Sequence, residues 1–295
     1  MLCCRSAPTS FIEKEKTLRH ADTDEIRGFF ARQMFIASQS SDPRLERTFE
    51  LVPREAFLPP GPWKIQIEAG YIDTPSADPV YIYQNVLVAL DAGKGINNGE
   101  PLLHARWIGA VAPGPGETVT HIGAGTGFYT AILSMLVRPG GRVIGFEIEA
   151  DLANAAMRNL EVFENATIIA GNAAALELSP SDVIYVNAGV AAPPERWLTA
   201  LRPGGRLIFP WRPSPTIGIA VVVQRMASGF ALRPLMPAYF IACVGAADVG
   251  DNPLIPDHNS AWRCRSVHLR RNQVPDESVI ANYQHVWFSS TPVED

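Results

Sequence analysis

Apolar positions along the chain follow two rhythms. In the first hundred residues the helical spacing dominates. Ile26, Phe29, Phe30, Met34 and Phe35 recur behind the acidic start Asp22-Thr23-Asp24-Glu25, which predicts an amphipathic helix running through Gln39. Asp42-Pro43 opens a second, shorter helix carrying Leu45, Phe49 and Leu51, closed by Pro53 and the run Leu58-Pro59-Pro60-Gly61-Pro62-Trp63. Tyr71–Pro75 is turn-rich, Val80–Leu90 is β-forming enough for a strand or paired strands, and Asp91–Gly95 reads as a turn. Leu102–Val111 has helical spacing and stops at Pro113-Gly114-Pro115-Gly116.

From there short β runs alternate with helical ones. Strands are predicted at Val119–Ile122, Val143–Phe146, Ala166–Ile169, Asp182–Val186 and Leu207–Pro210. Helices are predicted at Phe128–Val137, Ala150–Phe163 and Pro193–Leu201. The five residues Arg138–Arg142 recur as Arg202–Arg206, one helix-to-strand turn used twice. Such alternation implies an α/β fold, a Rossmann-like doubly wound, mostly parallel sheet with helices on both faces. Ile217–Arg225, Gly229–Leu235 and Tyr239–Val244 then follow with little between them, predicting an antiparallel C-terminal edge. Arg263, Arg265, Arg270 and Arg271 around Val267 and Leu269 read either as a solvated edge strand or as a patch for an acidic substrate. The expected division is a mobile leader at 1–20, an N-terminal helical and substrate-side segment at 21–112, a core at 113–245, and an extension packed on it at 246–295.

The candidate chemistry lies at the first strand of that core. Val119–Ile122 runs into Gly123-Ala124-Gly125-Thr126-Gly127, a helix follows, and the next strand ends on Glu147, 20 residues after Gly127. Glycines let a ligand sit against bare backbone, and a carboxylate at a strand tip accepts from both hydroxyls of a ribose. A dinucleotide fingerprint needs G-x-G-x-x-G; here the third glycine comes one residue early. That spacing favours S-adenosylmethionine, which has no pyrophosphate to seat on the helix, over NAD or flavin. Ile148 and Asn172 are expected to flank the adenine, with Ala173 also at the cofactor. Asn187, at the tip of Asp182–Val186, is expected near the methyl or the methionine part.

Composition narrows the classes. The 295 residues are 47% apolar and 19% charged, enough for a sizeable core. A net charge of −5 and a pI near 5.7 argue against a general nucleic-acid binder, so no nucleic-acid partner is expected. The four cysteines, Cys3, Cys4, Cys243 and Cys264, show no metal spacing and read as reduced thiols. No metal site is expected. No run is long and apolar enough for a membrane span, and the start lacks a signal-peptide core, so the expected location is the cytoplasm.

Together these segments resemble the class I S-adenosylmethionine-dependent methyltransferases, and more narrowly the protein-L-isoaspartate O-methyltransferase family. The resemblance covers roughly 49–210. It is carried by Val52-Pro53-Arg54-Glu55-Ala56-Phe57-Leu58-Pro59, Tyr71-Ile72-Asp73, Glu100-Pro101-Leu102-Leu103-His104-Ala105, the glycine-rich unit, Gly171-Asn172 and Arg202–Arg206. It implies a methyl transferred to a carboxylate or related acceptor on a protein, peptide or small molecule.

Three positions depart from the family pattern. His121 stands where the family has an acid before the glycines. It reads either as a cofactor contact or as a strand-end histidine with a local hydrogen bond. Asn172 replaces an acid near the adenine amine and could serve it through its carbonyl. Asn97-Asn98-Gly99 takes the place of a Thr-Ile-Ser-type loop that forms the family's substrate-side wall. His104 matches a family histidine and is the further substrate-side candidate; no catalytic residue is assigned. A non-catalytic S-adenosylmethionine-binding or interaction protein is the alternative that these departures raise.

Overall fold

The structure is a computed structural model in which residues 22–68, 70–250 and 253–294 are described. The expected leader at 1–20, with Cys3 and Cys4, lies outside them. The chain opens with α1 (Thr23–Ser38) and α2 (Arg44–Leu51). Asp22 caps α1 by accepting from the Asp24 and Glu25 amides. Phe30, Ala31 and Met34 of the expected stripe are buried, whereas Phe29 is exposed.

A small hairpin follows, β1 (Lys64–Ile67) with β2 (Gly70–Asp73), so the segment read as turns at Tyr71 pairs instead. Val80–Leu90 is the main departure. It is a single 3-10 turn at Pro79–Tyr81, then irregular chain, with only Ala89–Asp91 forming a strand, β3, against β4 (Ile96–Asn97). The cause is Arg54. Its guanidinium is fully buried and takes hydrogen bonds to the carbonyls of Ile82, Gln84 and Val86, which a β ladder would otherwise use.

The helix α3 (Pro101–Val111) leads into the core. There β5 (Thr118–Ile122), α4 (Phe128–Leu136), β6 (Arg142–Glu147), α5 (Ala150–Asn159), β7 (Ala166–Ala170), β8 (Ser181–Val186), α6 (Glu195–Ala200) and β9 (Leu201–Ser214) alternate as expected. The antiparallel strands β10 (Ile217–Arg225) and β11 (Phe230–Pro237) come next. The short helix α7 (His258–Trp262) precedes β12 (Ser266–Leu269), β13 (Val279–Asn282) and β14 (Val286–Ser289).

Ten strands form one sheet in the order β13-β14-β12-β11-β10-β9-β8-β5-β6-β7. Strands β9-β8-β5-β6-β7 are parallel and the rest antiparallel. The arginine-flanked strand read as an edge is therefore interior: β12 pairs with both β11 and β14. Tyr239–Val244 is not a strand either. It is a strap joined to the core by the Gly189–Ala242 bridge, and Arg212 holds it by donating to the Phe240 carbonyl at 2.6 Å.

Alternation along the strands builds two cores. Val183 and Tyr185 face the helical N-terminal side with Phe49, Trp107 and Phe128; Ile184 and Val186 face the other side with Trp197 and Trp211. All five residues of β5 are buried. Among the described residues no helix is long and apolar enough to cross a membrane.

Candidate active site

The chain order steps from β5 outward to β6 and β7, then returns to β8 on the other side of β5. That reversal leaves a crevice at the carboxyl ends of β5 and β8. A cavity of about 690 Å³ sits there. It brings together Asn97, Asn98, Gly99 and His104 with Gly123, Ala124, Gly125, Thr126, Glu147, Ile148, Asn172, Ala173 and Asn187. Loop tips, strand ends and the start of a helix thus meet around one cavity.

Gly123, Gly125 and Gly127 have φ of +76°, +57° and +97°, where side chains are disfavoured. A Cβ on Gly123 would lie 3.3 Å from the Asn187 carbonyl oxygen, closing the crevice. Gly127 is not on the cavity; a Cβ there would press on Leu160 at 3.1 Å, so it serves packing of α4 on α5.

Glu147 is nine-tenths buried at the tip of β6. Its Oε2 accepts from Gly125 N at 2.6 Å and its Oε1 from Glu149 N at 3.0 Å. Burial raises its pKa, and the amides of Glu149, Gly125 and Ile148 pull the other way. The carboxylate is held rigidly with lone pairs to spare, as two ribose hydroxyls require. Lys94, in the β3–β4 turn, pairs with Glu149 across the rim.

Three side chains are tied to partners within the protein, and His121 has the local hydrogen bonds of the second reading given for it. His121 does not line the cavity. It is fully buried, with Nδ1 2.8 Å from Thr130 Oγ1 and Nε2 2.8 Å from Asn187 Nδ2, so it backs Asn187. Burial holds it neutral, its pKa lowered to about 3. Thr126 turns its hydroxyl away from the cavity to the Phe57 carbonyl. Asn172 already uses its carbonyl to accept from Ala174 N at 2.9 Å, which leaves its NH2 as the free group. That end suits an acceptor nitrogen of a purine ring, not the exocyclic amine.

On the opposite side, His104 is fully buried in the cavity wall. It stacks on Tyr129 with centroids 3.8 Å apart, and its Nδ1 lies 2.8 Å from the Tyr185 hydroxyl. Burial first, then nearby His121 and Arg54, holds its pKa well below the ordinary range. Its Nε2 has no partner, nor do Asn98 Nδ2 and Asn187 Oδ1. Sequence reading missed Arg54, Lys94, Tyr129, Tyr185 and the strap at Tyr239–Val244. Only Arg54 left a trace, inside the Val52–Pro59 segment.

The residues present fit S-adenosylmethionine: a glycine floor that a Cβ would fill, a buried carboxylate fixed at the tip of β6, and an unpaired polar atom on Asn187. Comparison with known proteins bears on the same point. A model of the protein-L-isoaspartate(D-aspartate) O-methyltransferase family matches residues 40–248. The chain belongs to this family. A protein-L-isoaspartate O-methyltransferase of Methylorubrum populi is 32% identical, over 76% of this chain and 99% of that one. One of Thermotoga maritima is 34% identical over 56% of this chain, and the chain spans half the length of that relative. A solved structure described as a protein-L-isoaspartate O-methyltransferase matches with TM-score 0.62 and 26% identity, covering 73% of this chain and 65% of that chain. Another, from Plasmodium falciparum and described as a putative family member in complex with S-adenosyl-L-homocysteine, shares the fold at TM-score 0.60 and 18% identity, covering 74% of this chain and 98% of that one. The fold, the cofactor and the enzyme class expected from the sequence are those of the family: an S-adenosylmethionine-dependent O-methyltransferase. Family membership does not favour the non-catalytic alternative.

Proposed function

We propose that the protein methylates the carboxylate of an isoaspartyl residue in a protein or peptide, and does so in the cytoplasm. The observation that carries this reading is the family match across residues 40–248, which takes in both walls of the cavity. Gly123 and Gly125 form the cofactor floor in this reading, with Glu147 on the ribose, Ile148, Asn172 and Ala173 around the adenine and Asn187 at the methionine end. The loop Asn97–Gly99, the ring of His104 and the strap at Tyr239–Val244 form the acceptor side. The buried, free thiols Cys243 and Cys264 suit a reducing compartment.

When bound, S-adenosylmethionine supplies a methyl group made electrophilic by its sulfonium. The protein's part is to hold the acceptor in line, and well-oriented reactants gain about 7–11 kcal/mol. A carboxylate is ionised at neutral pH and needs no general base. The state of His104 agrees with that: it is buried, tied to Tyr185 and held neutral by burial. Its ring shapes the wall.

The test is calorimetry with S-adenosylmethionine and S-adenosylhomocysteine, then transfer to an isoaspartyl peptide by the same preparation. Binding with transfer is expected, and Glu147→Ala is expected to weaken binding about tenfold or more, since it removes hydrogen bonds to a charged acceptor. Binding without transfer removes the isoaspartyl acceptor from the proposal.

A further inference from the structure

The Asn97-Asn98-Gly99 loop lacks the hydroxyl of a Thr-Ile-Ser-type loop, yet an acceptor carboxylate needs a donor on that wall. Asn98 is 7% exposed and lines the cavity. Its Oδ1 accepts from Arg54 Nη2 at 3.0 Å and from Val88 N at 3.2 Å. Both partners are donors, so the amide has one orientation and its NH2 faces away from them. That Nδ2 is buried and unpaired. Leaving such a donor unmet is unfavourable unless something binds it.

Behind Asn98 stands Arg54. Its guanidinium is fully buried, and its other partners are the carbonyls of Ile82, Gln84 and Val86. Among the described residues no carboxylate pairs with it, and none acts on its charge. Burial lowers its pKa only to about 10, so it stays a cation at neutral pH. A buried charge without a counter-ion favours an anion nearby. Neighbouring Asn97 is occupied elsewhere, accepting from Gly99 N at 2.9 Å to fold the loop.

We infer that Asn98 Nδ2 is the donor that receives the acceptor carboxylate, with Arg54 as the positioning residue that orients it and biases the wall toward anions. The inference rests on the methyltransferase reading above and names the acceptor-side determinant of the same site. Nδ2 is closed to solvent. A small turn about the broad terminal torsion of the asparagine opens it to an incoming oxygen.

The discriminating variant is Asn98→Asp. It keeps the oxygen that Arg54 and Val88 use, replaces the free donor with an acceptor, and gives the buried Arg54 a counter-ion, so it is expected to fold. An isoaspartyl peptide and its methyl ester are titrated into the protein saturated with S-adenosylhomocysteine, and KM and kcat for transfer are measured. In the wild type the carboxylate peptide is expected to bind about tenfold or more tightly than its ester. In Asn98→Asp that preference is expected to vanish and KM to rise about tenfold or more, with cofactor affinity within about twofold of wild type. Asn98→Leu, which also removes the donor, is expected to raise KM likewise. An asparagine that only braces the loop predicts wild-type KM in Asn98→Asp, and that result overturns the inference. So does equal binding of peptide and ester by a wild-type protein that binds cofactor, which leaves the cofactor reading standing. A protein that binds no cofactor overturns the methyltransferase reading and this inference with it.

Discussion

At the scale of single residues, this site is built from polar groups whose free ends are decided by their buried ends. His121 fixes Asn187, Ala174 N fixes Asn172, and Arg54 with Val88 N fixes Asn98. The price is a histidine held neutral even at acidic pH, where water would protonate it. His121 has an unfolded-state pKa near 6.5 and a folded pKa of about 3. Between those values the unfolded chain binds the proton and the folded one does not. Stability is therefore whole above about pH 6.5 and declines as pH falls. At pH 5 the loss from this residue is on the order of 2 kcal/mol. His104 is shifted the same way and adds to the slope. Urea unfolding at pH 7 and pH 5 is the measurement. His121→Phe should flatten part of the difference; an identical slope in that variant would show that His121 is not the group responsible.

At the scale of elements, the glycine-rich strand–loop–helix was legible in the sequence because its chemistry is local. Positive φ at Gly123 and Gly125, the helix behind them and the acid at the end of β6 all follow from residues within one β–α–β unit. Val80–Leu90 was not legible, since a side chain 30 residues away captures its carbonyls. Nor was the placement of β12, because a strand's neighbours are a property of the whole sheet. The loop before α3 shows both limits. Its departure from the family pattern was readable, but the reason for Gly99 was not. Gly99 has φ +79°, and a Cβ there would lie 2.3 Å from His104 Nε2 and 3.1 Å from Tyr129. Gly99→Ser therefore does not simply restore a hydroxyl. It forces a left-handed serine against a stacked, buried ring, and is expected to destabilise by about 1–3 kcal/mol. Thermal unfolding reads this directly. A serine variant as stable as wild type would mean that the His104 ring moves freely, contrary to its stacking on Tyr129.

At the scale of the whole molecule, the question is what the last strands contribute. The family model ends at 248, yet β12, β14 and β13 continue the same sheet beyond β11. Their side chains enter the core opposite the N-terminal helices. Phe288 is fully buried and stacks on Trp211 of β9, with centroids 4.5 Å apart. Trp211 in turn donates to the Ala191 carbonyl at 3.0 Å, beside the segment that anchors the strap. The tail thus covers what would be the open edge of β11 and fills a core that the parallel strands leave unfinished. It contributes none of the side chains assigned to the cofactor. Phe288→Ala should then separate folding from binding. Removing a buried aromatic side chain costs about 3–5 kcal/mol. Calorimetry on the folded fraction should still give S-adenosylhomocysteine affinity within about twofold of wild type, because the Gly123–Gly127 loop and Glu147 lie on the far strands of the sheet. If affinity fell in step with stability, the tail would be coupled to the cofactor crevice through Trp211 and the strap, and the division between scaffold and site drawn above would have to move inward to β9.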